Sequence, residues 1–265
     1  MTFRFIPITL SSIVFLGTIT FFGCAAPTPP KKIYQDGFVI DADYYYSRGN
    51  IKAEMGKKEE AISDFTEAIR LNPTNFYAYY NRGNIKSELG DKQGAISDFT
   101  ETIRLKPDFA YAYNNRGWTK HQLKDSQGAI IDFDQSIRFN PNFDSPYYNR
   151  GNVKYTLGDK QGAISDYNEA LRLNPNNSDA YSNRGHTKKD LEDKQGAISD
   201  LNEAIRLNPN DVFAYITRAN VKKDLGDKQG ALGDLKNASQ ISQKYGLTEI
   251  YQESRKLIAE IERSR

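Results

Sequence analysis

Few side chains in this sequence are of the kind that do covalent or metal chemistry. The chain has one cysteine, Cys24, and two histidines, His121 and His186, which stand far apart in the sequence. A metal site needs three or four converging ligands, and a thiol or hydroxyl nucleophile needs a base beside it. These three residues supply neither. Ser63, Ser97, Ser165 and Ser199 each precede an aspartate, Asp64, Asp98, Asp166 and Asp200. A serine repeated at a fixed interval serves packing rather than one reaction centre, so the expectation is no catalytic residue, no metal and no cofactor. What remains is the chemistry of recognition. Tyrosines, asparagines and a single tryptophan, Trp118, recur at regular positions, and such side chains combine flat apolar surface with hydrogen bonding.

The interval is 34 residues. Pro73, Pro107, Pro141, Pro175 and Pro209 stand that far apart, as do Gly49, Gly83, Gly117, Gly151 and Gly185, with Ala219 next in the glycine row. Six units run from residue 42 to 245. A period of this size signals a solenoid, in which each short unit buries its apolar face against its neighbours. Within the unit 76–109, apolar residues recur at helical spacing in two segments separated by Leu89, Gly90 and Asp91. That pattern predicts a helical hairpin, with Asp91 capping the second helix and Pro107 ending it. Asp125, Asp159, Asp193 and Asp227 repeat the cap.

The row Tyr79, Gly83, Ala95, Phe99 and Pro107, repeated in the other units, resembles the signature of the tetratricopeptide repeat. The resemblance implies an all-α, right-handed α-solenoid of six 34-residue hairpins, with first helices lining a concave groove. Residues 246–265 carry Ile250, Leu257, Ile258 and Ile261 on one stripe and read as a capping helix. One departure from the family is consistent. Arg48, Arg82, Arg116, Arg150, Arg184 and Arg218 replace the usual leucine, while Lys52, Lys86, Lys120, Lys154, Lys188 and Lys222 replace the usual tyrosine. A third row is Asp64, Asp98, Asp132, Asp166, Asp200 and Asp234. Three rows changing together predict that they meet as a structural ladder across each hairpin.

The face of the first helices turned toward the implied groove carries the candidate peptide-binding residues. These are Tyr46 and Asn50, Tyr80 and Asn84, and Asn114, Trp118 and His121 in the first three units. Tyr148, Asn152 and Tyr155, His186 and Lys189, and Asn220 and Lys223 follow in the last three. Such a surface suits gripping an extended peptide. The competing reading is that the tyrosines only pack between successive first helices. The clamp that some family members use for a peptide carboxylate needs basic groups in early repeats, and here only Lys189 and Lys223 appear, both late.

The N-terminal end is of another kind. After Arg4 an uncharged, mostly apolar run extends from Phe5 to Phe22, so residues 1–23 read as an export signal or a membrane anchor. Phe21-Phe22-Gly23-Cys24 resembles the lipobox of bacterial lipoproteins, which would make Cys24 the lipidation site and place the protein in a bacterial cell envelope. An uncleaved helical anchor and plain secretion remain the alternatives. Residues 24–41 form a linker with Pro27, Pro29 and Pro30, whose apolar later part is expected to touch the first repeat. Thirty-six basic against 34 acidic residues leave no charged block, which argues against nucleic acid as a partner. The sequence therefore predicts a non-catalytic scaffold that binds a protein segment in its groove. A structural spacer or self-assembly element and a polysaccharide-binding protein are the alternatives.

Overall fold

The computed structural model describes residues 33–35 and 38–263; the apolar run and Cys24 lie outside them. Its order is a short antiparallel ribbon followed by thirteen helices among the described residues. In the ribbon, β1 (Ile33–Gln35) pairs with β2 (Phe38–Ile40), Ile33 opposite Ile40, and β2 lies against the first helix. The late linker thus meets the first repeat as two short strands. None of the described helices is long and apolar enough to cross a membrane.

The chain divides into two compact units, one up to Lys124 and one from Asp125 onward. In the first, α1 (Ala42–Glu54) packs on α2 (Lys58–Leu71) and α3 (Phe76–Glu88) on α4 (Lys92–Leu105), followed by α5 (Ala110–Gln122). In the second, α6 (Ser126–Phe139) precedes the hairpins α7 (Asp144–Thr156) with α8 (Lys160–Leu173) and α9 (Ser178–Lys189) with α10 (Lys194–Leu207). The hairpin of α11 (Val212–Asp224) and α12 (Lys228–Lys244) follows, and α13 (Thr248–Arg263) covers α12. The architecture is the all-α succession of helical hairpins that the repeat predicts. The terminal helix buries Ile258 and Ile261 against Leu232 and Leu235, which leaves no bare apolar face on α12.

Local chemistry sets these boundaries. The Asp91 carboxylate accepts from the Gly94 amide at 2.9 Å, and Asp125, Asp159, Asp193 and Asp227 do the same at their own helices. A Cβ on Gly94 would collide with that carboxylate. The first hairpin has lost both halves of the device, with Lys57 at the cap and Glu60 three residues on. Where the proline row fails, at Gln243, α12 continues to Lys244 and is 17 residues long against 14 for α4. The hairpins at Gly49, Gly83, Gly151 and Gly185 close tightly around that glycine. A Cβ on Gly83 would stand 2.9 Å from the Phe99 ring, so the small residue and the buried aromatic are one packing decision.

Candidate functional site

The three charged rows meet as predicted. Asp98 on α4 accepts from Arg82 Nε at 2.9 Å and from Nη2 at 2.7 Å, and its Oδ2 stands 2.8 Å from Lys86 Nζ. The same bidentate arginine and second lysine serve Asp64, Asp166, Asp200 and Asp234. The third guanidinium nitrogen reaches back one repeat: Arg82 Nη1 donates to Thr66, Arg116 to Thr100, Arg184 to Asn168 and Arg218 to Asn202. Arg150 does so to Asp134. The first repeat has no predecessor, and there Arg48 Nη1 turns to its own Tyr44 hydroxyl. Arginine stands where leucine is usual because one planar fork ties two helices of a hairpin and the hairpin before it.

Beside this ladder runs a second, which uses the first-helix asparagines. Asn81 Nδ2 donates to Asn50 Oδ1 at 2.8 Å and to the Tyr46 hydroxyl at 3.3 Å. Asn115 bonds Asn84 and Tyr80 in the same way, and Asn183 bonds Asn152 and Tyr148. Tyr80 and Asn84 are buried, and burial pushes the Tyr80 phenol up to about 12. Asn114 is buried as well and donates to Asn115. Six of the candidate groove residues, Tyr46, Asn50, Tyr80, Asn84, Tyr148 and Asn152, therefore hold one repeat to the next. The packing reading of the tyrosines describes them. Sequence reasoning passed over their donors, although Asn81, Asn115 and Asn183 keep the same period one residue before the arginine row.

The remaining candidates, Asn220 excepted, stand where the repeat departs from its own rule. Trp118 and His186 occupy the Asn50–Asn84 row. Trp118 is half-buried with the His121 ring 5.8 Å away; burial holds His121 below its usual pKa, and its buried Nδ1 has no hydrogen-bond partner. Tyr155 reaches across to α9, where its hydroxyl donates to Asp190 Oδ2 at 2.7 Å; burial and that bond raise the phenol to about 12. Burial raises the Asp190 carboxyl, but Tyr155, His186, Lys189 and Lys160 outweigh it and hold the group below its usual range. His186 stands edge-on to the Tyr155 ring at 5.7 Å, and burial lowers its pKa. Asn152, Tyr155, Thr156, Tyr167, Asn183, His186 and Thr187 enclose an open cleft of about 170 Å³. Lys189 Nζ lies 3.4 Å from Asp190, Asn220 is half-buried, and Lys223 is exposed. Among the described residues no three histidines, cysteines or carboxylates converge as a metal set.

Models of the tetratricopeptide repeat match residues 76–109, 110–143 and 178–211, and also 145–177, and a model described as TPR repeat matches 49–90. No curated protein sequence matches the chain. Among solved structures it is similar to pilF of Pseudomonas aeruginosa, a protein subjected to functional characterisation. The identity there is 16%, over 81% of this chain and 96% of that one, with a TM-score of 0.71. YrrB, described as a TPR protein with an unusual peptide-binding site, is 20% identical over 72% of this chain and 97% of its own, with a TM-score of 0.58. MamA from Desulfovibrio magneticus RS-1 is 20% identical over 64% and 96%, also with a TM-score of 0.58. Repeat models over most of residues 49–211, on a succession of helical hairpins with the signature residues at their contacts, place the chain in the tetratricopeptide repeat family.

Proposed function

We propose that this chain is a non-catalytic scaffold that binds an extended protein segment along its first helices. One observation carries the reading. After the asparagine and charged ladders have taken their members, the first helices α5, α7, α9 and α11 still carry five side chains that break the repeat, Trp118, His121, Tyr155, His186 and Phe213. Phe213 is 66% exposed. Residues kept outside the repeat's own packing are the ones free to meet a ligand. YrrB, similar in fold, is described as having a peptide-binding site, which is in keeping with this use of the face.

The apolar run 5–22 and Cys24 support anchorage at a bacterial envelope membrane, through a lipidated Cys24 or an uncleaved helix. Cys24→Ser tests the first form: the variant should lose its lipid and remain as precursor, and normal maturation would refute it. The binding reading is tested by cross-linked capture from membrane extract with the full chain and with the triple variant Trp118→Ala, Tyr155→Ala, Phe213→Ala. A protein held by the first and lost from a variant with unchanged helix content supports the reading. Equal capture by both favours a structural spacer, in which the stacked ladders are themselves the purpose.

A further inference from the structure

The cleft between α7 and α9 is unlike anything the repeat would generate. Three rows change around it at once. Tyr155 stands in the row of Ala53 and Ser87, and His186 in the row of Asn50 and Asn84. Tyr167 stands in the row of Phe65, Phe99 and Phe133. The Tyr167 hydroxyl, which phenylalanine cannot supply, donates to Asn152 Oδ1 at 2.8 Å, and Asn183 Nδ2 donates to the same oxygen at 2.8 Å. With its oxygen doubly held, the Asn152 amide has the two hydrogens of Nδ2 to donate, one turned toward the Tyr148 hydroxyl and one left for the cleft that Asn152 lines. The two threonines of the wall are spent on their own helices, Thr156 on the Asn152 carbonyl and Thr187 on the Asn183 carbonyl.

Charge around the cleft is unbalanced in one direction. Its nearest acid, Asp190, is already held by the Tyr155 hydroxyl at 2.7 Å, Lys189 at 3.4 Å and Lys160 at 3.6 Å. Two lysines against one carboxylate leave a positive surplus. The His186 imidazole, with Nε2 4.0 Å from Asp190, adds to it whenever it is protonated. At about 170 Å³ the space suits one side chain and falls short of the roughly 300 Å³ at which pockets for drug-sized molecules begin.

We propose that this cleft receives an acidic side chain, glutamate or aspartate, of the bound segment, its carboxylate held by Asn152 Nδ2 and the His186 imidazole and its stem lying on the Tyr155 ring. The proposal rests on the reading that the first-helix face binds a peptide, and gives that peptide a chemical requirement at one place. A neutral glutamine would find Asn152 and the Asn183 oxygen but would gain nothing from the lysine surplus, so the charge decides between them.

The test uses the full chain in detergent and two small probes, N-acetyl-glutamate methylamide and its glutamine analogue. Only two histidines are present, so the ring resonances of His186 can be followed with His121 as internal control. The glutamate probe should move the His186 resonances saturably, leave His121 in place, and raise the His186 pKa; the glutamine probe should do so at least about tenfold more weakly, as expected for loss of a charge-assisted hydrogen bond. Ligand-observed NMR then compares His186→Asn, which restores the residue of the repeat and should fold normally, with the parent. Binding of the glutamate probe should fall roughly ten- to hundredfold. Equal shifts from both probes, no shift at all, or undiminished binding to His186→Asn would overturn the proposal. These outcomes are separate from the capture experiment: a protein caught by the exposed aromatics while the glutamate probe fails removes the cleft alone, and saturable probe binding without any captured protein removes the scaffold reading, and with it the bound segment, while keeping the cleft's preference for a carboxylate.

Discussion

The two units obey the same repeat to different degrees, and the difference separates what holds the fold from what is left for a ligand. Up to Lys124 the asparagine ladder is unbroken: Asn81 binds Asn50 and Tyr46, and Asn115 binds Asn84 and Tyr80. From Asp125 onward one step is kept, Asn183 to Asn152 and Tyr148. At the next step His186 and Thr217 stand where the rule asks for two asparagines. Where the ladder runs, the polar groups of the first-helix face are spent between repeats. The cleft lies at the kept step, between α7 and α9, where Tyr155, Tyr167 and His186 break their own rows beside Asn152 and Asn183. The charged ladder does not differ in this way, since Asp98 in one unit and Asp200 in the other each hold an arginine and a lysine. Regularity in this chain marks structure, and irregularity marks the candidate site.

The largest effect should therefore be indifferent to the unit. Asp98→Ala leaves Arg82 and Lys86 facing each other without their counter-ion, and Asp200→Ala does the same to Arg184 and Lys188. Each should cost about 3–5 kcal/mol in urea unfolding, the usual penalty for removing one member of a buried charged set. A loss no greater than for an ordinary surface substitution would make the ladder ornamental. The next effect should distinguish the units. Asn115→Ala strands the buried Asn84 oxygen and Tyr80 hydroxyl and should cost about 1–3 kcal/mol, whereas Thr217→Ala, at the broken step, should cost under about 0.5 kcal/mol. Equal losses would abolish the contrast.

Smaller and of opposite sign is the effect of two turns. Between the helices of a hairpin the chain enters the left-handed region at Gly90 (φ 88°), Gly158 (φ 86°) and Gly226 (φ 85°). Lys124 (φ 68°) and Glu192 (φ 63°) take that conformation with a side chain present, at a cost of roughly 1–2 kcal/mol per residue. Lys124→Gly and Glu192→Gly should each raise the thermal midpoint, by about 1 kcal/mol of stability after the entropy that glycine adds to the unfolded chain. A lowered midpoint would mean that the Lys124 and Glu192 side chains make contacts worth more than the strain.

The hairpins, their caps and the charged ladder were legible in the sequence because each is a property of one residue type recurring at one spacing. Asp91 with Gly94, Gly83 with Phe99 and Arg82 with Asp98 can all be paired by counting. The fate of the groove tyrosines and asparagines was not legible in the same way. Their partners lie in the next repeat, 31 or 35 residues on, and a helical face drawn for a single unit does not contain them. The row of Asn81, Asn115 and Asn183 had the right period to give the ladder away, but it lies beside the more conspicuous arginines. The cleft was harder still. It depends on Tyr155, Tyr167 and His186 converging from three helices, and each by itself reads as one irregular residue in an otherwise regular row.

A substitution with little expected effect on stability tests that convergence most closely. Tyr167→Phe removes the hydroxyl bond to Asn152 Oδ1 but restores the residue that the same row has at Phe65 and Phe99. The Asn152 oxygen still accepts from Asn183, as the Asn50 and Asn84 oxygens accept from their own neighbours without help from a tyrosine. The substitution strands no buried donor, and its cost in unfolding should stay under about 1 kcal/mol. What it should change is orientation. With one bond fewer the Asn152 amide is less firmly turned, so its Nδ2 is less well placed to meet a carboxylate, and the glutamate probe should bind a few-fold more weakly to a protein of nearly parental stability. A loss of stability as large as that of Asn115→Ala, with probe binding unchanged, would assign Tyr167 to the fold and erase the distinction between the two units at its sharpest point. Weaker binding at equal stability would place the hydroxyl outside the repeat's structural needs, as a positioning group for the cleft.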